Sequence, residues 1–450
     1  MPEWKKALAR GDWPAVEEGI LNLTRLMATE IMAGCLVWYL EQENTQLLGK
    51  KLAERRGIKT QGMRSVHVTL ATGRRLLVHT TYALPQRSQK RDYRRWPRTR
   101  RPGIKGCYPV LERLGFVNNK SLLYCKMVAQ AAVLCPSLEV ANRLLVSQGI
   151  KTEGNKIRTT CVQIGKRLLA HRSQLPVSKN ENFRGARVVI GIDGGRLRIR
   201  KQKRGRRRKS TGHHGFHSPW REPKMIVIYV LDSKGNCSRQ HLPIHDATLG
   251  NADAVFALLE KYMAESGITE AKEIIFVGDG AHWIWDRIKT ITCNLDINSN
   301  KITEVVDFYH VCEHISAAVE TVPGLSDGKR KRLYKDLRSF LAQGKIDKVN
   351  DEIRLRLPPG KSLPDVEKEM TYLERHRDRI RYNYFRRKKI PIGSGAVESA
   401  IRRVINLRMK APGTFWKEDT AEIFLYLRSQ MISGRWDQCF SNFFRYQNAA

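Results

Sequence analysis

Nine cysteines stand singly along the 450-residue chain, and no C-x-x-C occurs among Cys35, Cys107, Cys125, Cys135, Cys161, Cys237, Cys293, Cys312 and Cys439. An odd number of dispersed thiols argues against a disulfide framework and against a cysteine-rich zinc module, and suits buried thiols in a reducing cytosol. No uninterrupted apolar run approaches the ~20 residues of a spanning helix. The start, MPEWKKALARGDWPAVEEG, lacks the apolar centre of a signal peptide. No internal repeat of fixed period is present. These absences lead to the expectation of a soluble, cytoplasmic chain with no membrane partner.

Acidic charge is also scarce. Against 81 Lys and Arg stand 44 Asp and Glu, a formal net charge of +37, with a pI near 10.1. Such an excess repels itself unless a polyanion is a regular partner, and nucleic acid is the usual one. The hydrophobic fraction of 41% is ordinary, so cores can form, and the length suits two or three domains of about 100–200 residues.

Residues 13–50 carry apolar positions at helical spacing and predict one or two helices, and SVHVTLATGRRLLVHTTYAL (65–84) alternates as a β-hairpin does. The stretch 86–106 is cationic, with Arg94 and Arg95 beside Tyr93 and Trp96. It reads as a basic linker whose aromatics can stack on bases; a solvated loop is the plainer alternative. Residues 120–172 read as three helical pieces, the last two joined by a turn at Gly149. That is the outline of a helix-turn-helix, in which Lys156 and Arg158 would reach DNA, although helix pairs with glycine turns are common.

From Arg187 the texture becomes α/β, with strands expected at 187–200, 223–232 and 238–245, a helix at 251–266, and further strands at EIIFVGDGAHW and 303–309. Three strands, a helix, a strand, a helical stretch and a strand follow the element order of an RNase H-like domain. The expected organisation is a mainly helical, DNA-binding N-terminal region before an α/β core in RNase H-like order, a helical and charged stretch without strand pattern, and a last segment with Glu398. Its bounds are 1–119 (helices, hairpin and basic linker), 120–180 (helix-turn-helix-like), 181–311 (first part of the core), 312–390 (helical stretch) and 391–450 (final part of the core and C-terminal helices).

Two apolar strands end in an acid followed by glycine: VVIGIDGG with Asp193 and IIFVGDGAHW with Asp279. Strand ends of α/β sheets project side chains into a crevice, but an Asp before Gly can also be only a turn former. Glu398 lies on a helix with Arg402 and Arg403 one turn on. Three carboxylates from separate elements can hold hard divalent ions through oxygen, and Mg²⁺ suits such a site because it also accepts phosphate oxygens. VVDFYHVCEH adds Asp307 and His310, three apart at an expected strand end, with Glu313 and His314 nearby. TGHHGFH interleaves neither Cys nor acid among its histidines and reads as a loop rather than a zinc site. After Asp193 comes RLRIRKQKRGRRRK, in which Arg196, Arg198, Arg200, Lys201, Arg204, Arg206, Arg207 and Arg208 can neutralise phosphate without reading sequence.

IGIDGGR, VGDGAHWIW, VVDFYHVCEH and PIGSGAVESAIRRVINLRMKAPGTFW, in this order over about 187–430, resemble the blocks of DDE transposases of bacterial insertion sequences. The group is the Kra-type one, related to the Mutator-like transposases of eukaryotes. The resemblance implies an α/β, RNase H-like core interrupted by an all-helical insertion, with Asp193, Asp279 and Glu398 as a catalytic triad that also holds two Mg²⁺ or Mn²⁺ ions. It implies Asp307-x-x-His310 as the D-x-x-H signature, with His282 and Arg402 as further accessory candidates. Related families often carry a cysteine zinc motif before the core; Cys107 and Cys125 have no such partners here.

The implied activity is cleavage at the ends of an element, followed by attack of the freed 3′-OH on a target phosphodiester. Terminal inverted repeats and target DNA would be the partners of a homodimer or higher assembly at the nucleoid. A nuclease or resolvase on the same fold shares the acids without needing strand transfer. A catalytically inactive DNA-binding regulator needs none of them.

Overall fold

The computed structural model describes residues 3–85, 106–177, 181–203, 205, 212, 214–358 and 363–449. The basic linker with Arg94 and Arg95, and Arg204, Arg206, Arg207 and Arg208, lie outside the described residues. The chain divides into two compact units, Met1–Arg172 with Asp437–Ala450, and Ser173–Trp436.

The first unit is mainly helical. It begins with α1 (Glu3–Ala9), α2 (Trp13–Glu41) and α3 (Glu43–Arg55), then the antiparallel hairpin β1 (Ile58–Thr69) and β2 (Arg75–Pro85). The hairpin is the one that the alternation predicts. Ala33 and Leu40 of α2 pack with Val68 and Val78 of the hairpin and with Val110 and Leu111 of α4 (Pro109–Arg113). Contrary to the expectation from apolar runs, α2 is long and apolar enough to cross a membrane by length and composition. Glu17, Glu18, Arg25 and Glu30 interrupt its sequence, and so no continuous apolar run marks it. Trp13, Leu21, Leu26, Met27, Ile31 and Trp38 are each more than half exposed on it.

Three helices follow, as expected for 120–172: α5 (Leu122–Leu134), α6 (Leu138–Ser147) and α7 (Gly154–Ala170). Ser137 caps α6 by accepting from the Val140 N–H, which satisfies one of the orphan amides at a helix start. Gly149 turns the chain between α6 and α7 at φ +77, a left-handed conformation that costs glycine least. Along α7, Ile157, Cys161, Ile164 and Leu168 are buried, whereas Asn155, Lys156, Arg158 and Thr159 are exposed.

The second unit is α/β around a five-stranded mixed sheet. Its strands are β3 (Arg187–Gly194), β8 (Lys224–Leu231), β9 (Ile244–Thr248), β10 (Glu273–Gly278) and β11 (Ile302–Val306) in the order β11-β10-β3-β8-β9. Strand β8 runs antiparallel to both β3 and β9, whereas β10 is parallel to both β3 and β11. Burial of Val188–Ile192 in β3 and of every residue of β8 after Lys224 explains why both read as continuous apolar runs. Between β3 and β8 the chain forms two small ribbons, β4 (Leu197–Arg198) with β7 (Trp220–Arg221) and β5 (Lys201–Gln202) with β6 (Phe216–His217).

Four expected strands have different ends, the one at EIIFVGDGAHW stopping at Gly278. The first stops at Gly194 and gives way to the ribbons. The third starts at Ile244, not 238, directly after Pro243, which has no N–H for a ladder. The fifth ends at Val306 because Asp307 caps a helix.

Helices α8 (Ala252–Glu265) and α9 (His282–Asn294) flank β10 in sequence. After β11 come α10 (Phe308–Thr321), α11 (Asp327–Ala342), α12 (Ile346–Arg354), α13 (Pro364–Arg375) and α14 (Tyr382–Arg387), with no strand among the described residues, as predicted for 312–390. The buried Tyr382 donates its hydroxyl to the Val306 carbonyl at 2.9 Å and ties the end of this helical segment to β11. The chain returns to the sheet through α15 (Gly395–Ile401), a π-helical turn (Arg402–Asn406), α16 (Leu407–Met409) and α17 (Glu418–Ile432), with α15 packed on β3 and β8 and α17 on β9. The last helix, α18 (Trp436–Ala449), was expected with the final part of the core; its residues from Asp437 on cluster with the first unit instead.

Candidate active site

Register brings the first two acids together. Ile192 of β3 pairs with Gly278 of β10, so Asp193 and Asp279 leave adjacent parallel strands at the same end. The third comes from α15, whose Val397 packs on β3 so closely that a Cβ added at Gly191 would lie 3.2 Å from the valine Cβ. Glu398 is the next residue.

Each carboxylate has one oxygen held. Asp193 Oδ1 accepts from the Gly194 N–H at 2.6 Å, Asp279 Oδ1 from the Ala281 N–H at 2.9 Å, and Glu398 Oε1 from the Ser394 hydroxyl at 2.8 Å. Asp193 is half-buried. Its carboxyl is pushed up to about 7, chiefly by burial; the Gly194 N–H opposes the shift, and the negative charges of Asp279, Glu398 and Glu222 add to it. Like charges facing one half-buried carboxyl are what a bound cation would relieve. The oxygen-only donor set fits a hard divalent ion. Among the described residues, however, no three His, Cys, Asp or Glu side chains form a ready-made metal cluster. Asp193 and Asp279 share an opening rather than a closed ligand shell, and Glu398 is not among the residues that line it.

That opening, about 550 Å³, is lined by Asp193, Asp279, Glu222, Arg196, Trp220 and Trp283. A second, about 450 Å³, shares Asp279 and is lined by His282, His310, His314, Tyr372 and Arg375. A larger cavity of about 780 Å³ lies in the first unit between α2, the hairpin turn and the α6–α7 turn. Its one acid, Glu30, is paired with Arg74, so it holds no comparable group of carboxylates.

The accessory candidates separate. Asp307 was expected at a strand end but caps α10, accepting the His310 N–H on Oδ1 at 2.9 Å and the Ser394 N–H on Oδ2. It is 3% exposed, and both its oxygens are engaged. His310 sits in the first turn of α10, with Nδ1 3.3 Å from Glu313 and its ring edge-on to His314 at 4.9 Å. His314 stacks on Tyr372 of α13 at 3.7 Å, so His310 faces the helical segment. His282 Nε2 is hydrogen-bonded to Arg375 at 2.6 Å. Arg402 is exposed on the π-helical turn. Its neighbour Arg403 instead reaches the buried His245 at 3.2 Å; burial first and the guanidinium second hold that imidazole down near about 4, hence neutral.

Beside Asp193, the exposed cations of the ribbons alternate with aromatics. Arg198 lies over Trp220 at 4.8 Å and Arg200 over Phe216 at 4.4 Å, with Arg196 and Lys201 also exposed. Trp220 is 49% exposed. Sequence reasoning found the cations but missed Trp220 and Phe216, which reach them only through the β4–β7 and β5–β6 pairings. It also missed Glu222, whose one signal is an acid in the otherwise basic stretch SPWREPK, and Ser394 and Tyr372. A Cβ at Gly280 would lie 2.1 Å from the Tyr372 ring, so the glycine after Asp279 makes room for this ring.

No family model matches the chain, and no curated protein matches its sequence. Among solved structures, the Drosophila P element transposase strand transfer complex aligns with a TM-score of 0.33 at 10% identity, over 69% of this chain and 92% of that one. The likeness is slight.

Proposed function

We propose that the protein is a DNA transposase of DDE type that cleaves DNA at the ends of its own element and joins the freed 3′-OH to a target phosphodiester. The observation that carries this is that Asp193 and Asp279 leave adjacent parallel strands at the same end and that the charges of Asp279 and Glu398 both act on Asp193, in a chain of charge +37. The strand order β11-β10-β3-β8-β9, antiparallel on one side and parallel on the other, supports an RNase H-like reading of the core. On that reading α10–α14 are its helical insertion.

Asp193, Asp279 and Glu398 would hold two divalent ions, Mg²⁺ or Mn²⁺. When bound, such ions stabilise charge on the attacking and leaving oxygens of an in-line displacement. The Gly194 and Ala281 amides and the Ser394 hydroxyl keep the carboxylates oriented. Arg196, Arg198, Arg200 and Lys201 neutralise the DNA backbone next to Asp193, and Trp220 offers a stacking face. Lys156 and Arg158 on the exposed face of α7 read bases at the terminal repeats. The protein works at DNA in the cytoplasm, as a homodimer or larger assembly that holds two ends.

The test is incubation with a duplex carrying the element's end and Mg²⁺, resolving cleaved from strand-transferred products. Asp193→Ala, Asp279→Ala and Glu398→Ala should each abolish both products and leave DNA binding nearly unchanged. Cleavage without strand transfer favours a nuclease of the same fold; binding without either product, and indifference to all three substitutions, favours a regulator.

A further inference from the structure

We propose that Asp307 is a positioning residue that fixes Glu398 through Ser394, and not a member of the ligand set. It rests on the proposed function only for what Glu398 does. Asp307 lies where three parts of the site meet. Its own N–H donates to the Gly278 carbonyl at 2.9 Å, at the end of the strand that delivers Asp279. Its Oδ1 takes the His310 N–H and caps α10. Its Oδ2 takes the N–H of Ser394, the residue preceding α15. Ser394 in turn donates its hydroxyl to Glu398 Oε1 at 2.8 Å, and Phe308 N–H binds the Ile392 carbonyl at 2.8 Å, so the two chain segments run clamped together.

Chemistry separates this role from a ligand's. A buried carboxylate that accepts one backbone N–H on each oxygen is committed to amides that would otherwise be unsatisfied, and removing it strands those donors. Asp307 and Ser394 are both buried, whereas Glu398 is exposed. The relay runs from a rigid strand end to a side chain that must hold one rotamer. Without it, Glu398 is a flexible side chain on the first turn of a seven-residue helix.

The two links can be cut separately. Asp307→Ala removes the acceptor for the Ser394 N–H, whereas Ser394→Ala keeps that amide and removes only the hydroxyl that touches Glu398. Hydrogen exchange on the metal-free full chain should show faster exchange at residues 394–398 in Asp307→Ala and wild-type exchange there in Ser394→Ala. In the cleavage assay both variants should lose roughly ten- to a hundred-fold in kcat, the worth of one hydrogen bond to a charged group, with KM for DNA unchanged. Ser394→Thr, which keeps a hydroxyl, should recover most of it, and the double variant Asp307→Ala/Ser394→Ala should be no worse than Asp307→Ala alone. Wild-type exchange at 394–398 in Asp307→Ala, or wild-type kcat in Ser394→Ala, overturns the relay. Should Glu398→Ala itself cleave normally, the proposed function has failed, and the exchange arm alone decides whether Asp307 holds α15.

Discussion

At the scale of single residues, Asp193 makes a claim that can be read with a pH meter. Its carboxyl is raised in the folded chain to about 7 from an ordinary 3.8, by burial first and then by Asp279, Glu398 and Glu222. A raised carboxyl favours the folded state fully only below its unfolded value, and that advantage is lost as pH climbs from about 4 to about 7. In EDTA, Asp193→Asn should therefore melt at the wild-type temperature near pH 3.5 and several degrees above it at pH 8, at about 2–4 °C for each kcal/mol. Adding Mg²⁺ should raise the wild-type melting temperature and leave the variant's nearly unmoved. A variant no more stable than wild type at pH 8 would remove the case for crowded acids. Asp193 and Asp279 were legible because an apolar run ending in Asp-Gly is a local pattern. Glu222 and Ser394 were not, since neither sits in such a pattern and their importance comes from partners far off in sequence.

Among the elements, those whose period is local were foreseeable: the hairpin, α6, α7, α8, the helices after β11, and the buried strands β3 and β8. What misled at strand ends was capping. Asp307 looks like the end of a strand because β-branched residues precede it, but its side chain closes the first turn of α10, and a cap and a strand-end acid have the same one-letter signature. The exposed face of α7 gives the prediction that belongs here. Lys156 is engaged with Glu153 at 2.8 Å and Arg158 with Asn155 at 3.4 Å, weak surface pairings that cost little to exchange for DNA. Changing either to Ala should lower preference for the element's ends over random duplex by about 1–3 kcal/mol for each base no longer read, measured by competition binding. An unchanged preference would take base readout away from this helix.

For the whole molecule, composition spoke plainly about charge and poorly about arrangement. The excess of +37 predicts DNA binding that weakens steeply with salt. Replacing Arg196, Arg198, Arg200 and Lys201 by Ala should weaken binding to any duplex alike and lower the log–log salt slope by roughly 0.9 for each phosphate left without its cation. Should that variant lose preference for specific ends at constant slope, the ribbons read sequence and the division of labour with α7 is reversed. The clustering of α18 with the first unit had no sequence signal, because an amphipathic helix does not say which core it will meet. The order of the site along the chain carries a further consequence. Asp193 and Asp279 come before α10–α14 and Glu398 after them. On the proposed function, a polypeptide still on the ribosome therefore holds basic surfaces and two of its acids long before the third has been translated. Such a nascent chain can grip nearby DNA and cannot yet cut it, so synthesis itself acts as a timer, arming the enzyme only once α15 has been made.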